Sequence, residues 1–150
     1  MLSRSALILL MSLPIPPQQV LYWGIAIAAG LIYLPYLLVA YGRVTSGFDP
    51  NAPRAIFDKL PPYAQRATWA HQNAFESFTL FAPAVILVVF AQAGSLYTNA
   101  VVITYLLSRL AHSLFYIIKI FPLRGLAWIV SLGCIASLYG TAITKISLMP

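Results

Sequence analysis

The stretch VLYWGIAIAAGLIYLPYLLVAY, residues 20–41, decides the class of fold, because 22 consecutive residues pass without an Asp, Glu, Lys or Arg. A helix that crosses the hydrocarbon core of a bilayer needs about 20 mostly apolar residues, and this run supplies them. Working outward, three further stretches have similar character, at about 63–91, 99–120 and 126–146. Pro35 and Pro83 fall inside two of these runs, which membrane helices tolerate because neighbouring groups satisfy the freed carbonyls. The expected fold is therefore an all-α membrane protein, a four-transmembrane-helix bundle forming one domain over residues 1–150.

Composition points the same way. Hydrophobic residues make up 61% of the 150 and charged residues 8%, against about 25% charged in soluble domains. A soluble enzyme, a disordered chain and a disulfide scaffold are all excluded. Cys134 is the sole cysteine, so neither an intrachain disulfide nor a thiolate metal cage can form. With only two histidines, an imidazole-rich metal site is excluded as well. Residues 1–19 read as an N-terminal lead-in. Arg4 followed by Ala6–Leu13 has the look of a secretory signal, but the run ends in Pro14-Ile15-Pro16-Pro17 without a small-x-small cleavage site.

The connections differ in charge. Gly42–Pro62 holds Arg43, Arg54, Lys59, Asp49, Asp58 and four prolines, while Gln92–Thr98 holds no charge. Lys119 and Arg124 flank Pro122 between spans three and four. Arg4 and Lys145 fall on the other side. The excess of Lys and Arg near cytoplasmic ends predicts loops 42–62 and 121–125 in the cytoplasm, with both termini on the opposite side. Anionic headgroups account for the net charge of +6. The basic residues are scattered singly and no recognition motif accompanies them, so no nucleic-acid partner is expected.

Two spans carry charge where charge is expensive. An ionisable side chain at the centre of a span costs about 2.5–3.5 kcal/mol on insertion scales and is by default a functional candidate. In span two, Arg66, Trp69, Asn73 and Glu76 form one helical stripe, and Arg109, His112, Tyr116 and Lys119 repeat its spacing in span three. The helices run antiparallel. With Arg66 and Lys119 at the edge, Asn73 and His112 lie roughly 10 Å down, and Glu76 and Arg109 roughly 15 Å down. Glu76 and Arg109 are thus expected to pair at one depth. Two readings fit this face. One is a buried clip that sets helix register through interhelical hydrogen bonds. The other is a polar pocket with Arg124 at its mouth, lined by Asn73, His112 and Tyr116.

These same residues carry a family resemblance. The run Arg66-Ala67-Thr68-Trp69-Ala70-His71-Gln72-Asn73-Ala74-Phe75-Glu76 resembles the second-helix signature of the MAPEG family, membrane-associated proteins in eicosanoid and glutathione metabolism. Ser108-Arg109-Leu110-Ala111-His112-Ser113-Leu114-Phe115-Tyr116, followed by Lys119, Pro122 and Arg124, is similar to the third-helix signature and the turn after it. The resemblance implies a homotrimer of four-helix bundles with glutathione sites between subunits. It implies that Asn73, Glu76, Arg109 and His112 bind glutathione as cosubstrate, with Arg66 or Arg43 reaching in, and that Arg124 and Tyr116 act on its sulfur. A free thiol has a pKa near 8.5, which an adjacent guanidinium lowers. The activity implied is a glutathione-dependent transferase or peroxidase acting on lipophilic electrophiles from the membrane. The chain differs from glutathione-using members at Trp69 and Gln72, where they carry Arg, and Trp128 falls near a helix-four Tyr. The alternative is a non-catalytic lipid-binding or scaffolding membrane protein of the same family. A transporter is disfavoured by the lack of an interrupted repeat.

Other residues read as structure. His71, roughly 200° around the helix from Asn73, faces away from the stripe, so a haem held by His71 and His112 is not expected. Tyr22 and Trp23 suit an interfacial belt, and Arg54 and Lys59 suit headgroup contacts. Gly24, Ala28, Ala29 and Gly30 suit close helix packing. Cys134 suits the core.

Overall fold

The computed structural model describes residues 17–149; the lead-in through residue 16, with Arg4, lies outside the described residues. Four helices follow in order: α1 (Pro17–Thr45), α2 (Pro62–Phe90), α3 (Leu96–Ile117) and α4 (Phe121–Ser147). All four are long and apolar enough to cross a bilayer. Helices α2 and α3 form the inner pair, each packed on the other three elements' faces, while α1 and α4 occupy outer corners.

Local chemistry sets the helix ends. Pro61 and Pro62 open α2, since a proline in the first turn lacks only an N–H that has no partner there anyway. Ser95 caps α3: its hydroxyl accepts from the Thr98 N–H at 3.2 Å, while the Ser95 N–H donates to Thr98 Oγ1 at 2.9 Å. This is a capping box with Thr in the usual Glu position. At the other end of α3 the chain reverses through Lys119 at φ 67°, and the Ile120 N–H returns to the Phe115 carbonyl at 2.9 Å.

That tight reversal corrects one expectation. Residues 121–125 are not a loop, because Pro122 lies in the first turn of α4, and Arg124 therefore projects from a helix. The helix α1 also runs on to Thr45, so Arg43 is helical rather than part of the connection. The long connection is held by its own small apolar cluster of Ile56, Leu60 and Ala64, with Phe48, Phe57 and Tyr63 packed around it. The 3-10 turn Phe57–Lys59 interrupts it, and the Gln65 side-chain amide donates to the Leu60 carbonyl at 3.1 Å.

The core changes character along the bundle. Away from the long connection it is bulky, with Leu21, Phe81, Val85, Val88, Val102 and Leu138 all buried. There the rings of Phe81 and Tyr105 stack at 3.7 Å. Toward the connection, α2 buries only alanine, at positions 64, 67, 70 and 74, so α1 approaches closely. A Cβ built on Gly42 would lie 2.6 Å from the Ala64 Cβ, an atom fixed to its own backbone. Gly42→Ala is therefore expected to destabilise the bundle by about 1–3 kcal/mol through overpacking. A lowered midpoint of thermal unfolding in detergent would report this, and an unchanged one would mean that α1 simply moves aside.

Candidate functional site

The buried residues of α3 include Ser108, Arg109, His112 and Ser113 on its inward face. Arg109, only 4% exposed, donates from Nη2 to Asn73 Oδ1 at 2.8 Å. Asn73 Nδ2 in turn donates to Glu76 Oε2 at 3.4 Å. The expected direct pairing of Glu76 with Arg109 is thus replaced by a relay through an amide. Asn73 stands between the charges because it lies one turn nearer to α3's inward face, while Glu76 is exposed on the bundle surface.

His112 and Arg124 are joined through the backbone. His112 Nδ1–H donates to the Arg124 carbonyl at 3.1 Å; a carbonyl only accepts, so Nδ1 carries the proton. The Arg124 guanidinium lies 4.4 Å from the Tyr116 ring centroid and 5.0 Å from that of Phe121, within range for a cation on an aromatic face. The His112 and Tyr116 rings meet edge-on at 5.7 Å. On the α2 side, Trp69 lies between Phe57 at 5.7 Å and Tyr116 at 6.5 Å. Arg66 Nε donates to the Ile117 carbonyl at 2.7 Å, tying the start of α2 to the end of α3.

Two hollows flank α2. The narrow one, about 300 Å³, is lined by Arg66, Trp69, Tyr116, Lys119 and Arg124, with Phe115 and Phe121. The wide one, about 890 Å³, lies between α1, α2 and the long connection, and includes Arg43, Arg54, His71, Gln72 and Glu76. The single hollow expected for Asn73, Glu76, Arg109 and Tyr116 is therefore divided. A stripe spaced at 0, 3, 7 and 10 falls roughly 80° short of closing its third turn. Over that length the side chains swing from the α3 side of α2, at Arg66, toward the α1 side, at Glu76.

His71 lies roughly 200° around the helix from Asn73, yet it lines the wide hollow together with Glu76 of the stripe. What residue spacing did not reveal is that this face also borders a hollow. His71 Nδ1–H donates to the Ile32 carbonyl at 2.7 Å, and the ring packs against Tyr36 at 5.2 Å and Phe75 at 5.8 Å. Arg43 Nη1 donates to the Tyr36 hydroxyl at 3.5 Å. Lys119 and Arg54, read as edge and headgroup residues, line the narrow and wide hollows respectively. No local sequence signal marks them, since the far wall of the wide hollow is built by the connection folding back over α2. Among the described residues, no group of His, Cys, Asp and Glu is arranged to hold a metal ion.

In comparison with known proteins, the model of the MAPEG family matches residues 20–144. Neither a curated protein nor a solved structure matches the chain.

Proposed function

The chain belongs to the MAPEG family and is a multi-pass membrane protein, and from that premise we propose that it is a glutathione-dependent transferase or peroxidase acting on lipophilic electrophiles. The observation that carries this reading is the narrow hollow, where the Arg124 guanidinium sits 4.4 Å from the Tyr116 ring among aromatic walls and two further cations. A thiolate placed there meets fixed positive charge and the phenol of Tyr116. Both favour the charged nucleophile over the thiol.

In this reading Asn73 and Glu76 hold the tripeptide, which has both a free amine and carboxylates to offer them. Arg109 is a positioning residue. It is buried, and it acts through the Asn73 oxygen by turning the amide N–H groups toward Glu76 and the ligand. His112 orients the Arg124 turn through its carbonyl. Arg66, whose Nε is committed to Ile117, keeps its terminal nitrogens for a carboxylate, and Arg43 offers the same from the wide hollow.

A homotrimer completes the picture. Glu76 is exposed on a helix that crosses the bilayer, and a carboxylate facing acyl chains is not sustainable. A neighbouring subunit covering this face would remove it from lipid. By the excess of Lys and Arg, the end of the bundle with the long connection faces the cytoplasm, where glutathione would enter while the electrophile arrives laterally from the membrane.

Trp69 favours a second reading. Its indole fills the space between Phe57 and Tyr116, where an Arg would grip a carboxylate, so a non-catalytic lipid-binding protein of the same family is the alternative. Equilibrium binding of glutathione to the detergent-solubilised protein separates the two. Saturable binding at millimolar concentration or below is expected; its absence in an intact oligomer, together with co-purifying lipid, would favour the alternative.

A further inference from the structure

Arg109 makes one hydrogen bond with Nη2, yet its Nε and Nη1 are also buried and have no partner in the protein. A guanidinium carries five N–H donors, and leaving donors unpaired inside a bundle is costly enough that native structures rarely do so. The residue borders a small internal void of about 10 Å³, lined also by Ala28, Leu31, Ala74, Tyr105 and Ser113. That is the space one water requires, in a wall that is polar on one side.

We propose that this void is a binding site for a single ordered water, which accepts from Arg109 and donates toward the hydroxyl oxygens of Ser113 or Tyr105. The Tyr105 hydroxyl already shares a hydrogen bond with Ser77 at 3.0 Å. Donation to Tyr105 joins two otherwise separate polar chains, Ser77–Tyr105 and Arg109–Asn73–Glu76, into one network spanning α2 and α3. A water fits better than a halide for two reasons. The void has no room beyond one small molecule, and the guanidinium charge already has a carboxylate at the end of its amide relay. The void itself lies inside the bundle among residues that line neither hollow, and neither measurement below reads glutathione binding.

Two measurements on the full chain test the site. In a high-resolution density map, a peak within about 3.2 Å of Arg109 Nε or Nη1 is expected, with no anomalous signal when bromide replaces chloride. An empty void, or a bromide peak, overturns the proposal. Independently, Ala28→Val fills the void with methyl groups and expels the water, whereas Ala28→Ser places a hydroxyl where the water stood. Ala28→Val is expected to lower the thermal midpoint in detergent by about 5 °C, with Ala28→Ser close to wild type. A midpoint unchanged or raised in Ala28→Val would mean a dry cavity, since filling an empty apolar space stabilises.

Discussion

Arg124→Ala is expected to lower kcat for conjugation of glutathione to a chromogenic electrophile by about 10²–10³-fold, the usual effect of removing one fixed group that stabilises developing or resident negative charge. The KM for glutathione should move much less, because Asn73 and Glu76 lie on a different helix and keep their hydrogen bond. The rising limb of the pH–rate profile should shift toward the pKa of a free thiol, about 8.5, as the thiolate loses its counter-charge. The substitution leaves the fold nearly untouched. His112 donates to the backbone carbonyl of residue 124, which alanine retains, and the side chain otherwise rests on the open faces of Tyr116 and Phe121. A kcat within a few-fold of wild type, in a protein that still binds glutathione, would remove Arg124 from the chemistry.

The second large effect is on stability and is asymmetric. Asn73→Leu removes the only protein group that accepts from the Arg109 guanidinium among the described residues. A buried cation is left without a partner, at a cost of about 3–5 kcal/mol. Arg109→Met removes the charge itself and fills its place with a flexible apolar chain, and replacement of a buried charge in this way is often neutral. The thermal midpoint in detergent should therefore fall steeply for Asn73→Leu and change little for Arg109→Met. Equal losses would mean that Glu76 reaches Arg109 directly once Asn73 is gone, or that the guanidinium packs more than it pairs. Both variants should weaken glutathione binding, since each breaks the relay to Glu76.

Much of the architecture could be read from residues in order. Runs of about 20 mostly apolar residues have no other stable home than a bilayer-spanning helix, so the class of fold followed from 20–41 and its three companions. The boundaries were less legible. Pro122 looked like part of a loop when read as a helix breaker, but in the first turn of α4 it starts a helix, and this moves Arg124 onto a rigid element. The polar residues of α2 and α3 stood out because charge within a span is costly, but equal depth paired Arg109 with Glu76, whereas its hydrogen bond goes to Asn73. Their grouping was not legible. Spacing along one helix fixes an angle about that helix alone, and a drift of roughly 80° is enough to send Glu76 to one hollow and Arg66 to the other.

The sequence by itself determined that this chain lives in a membrane, that it has four spans, which family it belongs to, and which few polar side chains are buried at a cost that demands a reason. Those conclusions rest on the energetics of each segment in lipid, and a segment carries that information alone. Only the tertiary structure decided that Asn73 mediates between Arg109 and Glu76, that His71 and the long connection wall a second hollow, and that Arg109 keeps donors to spare beside a void. These depend on how one helix is rotated against the next. That rotation is set by alanine and glycine contacts such as Gly42 on Ala64, whose consequence is a distance between two helices rather than a pattern within one.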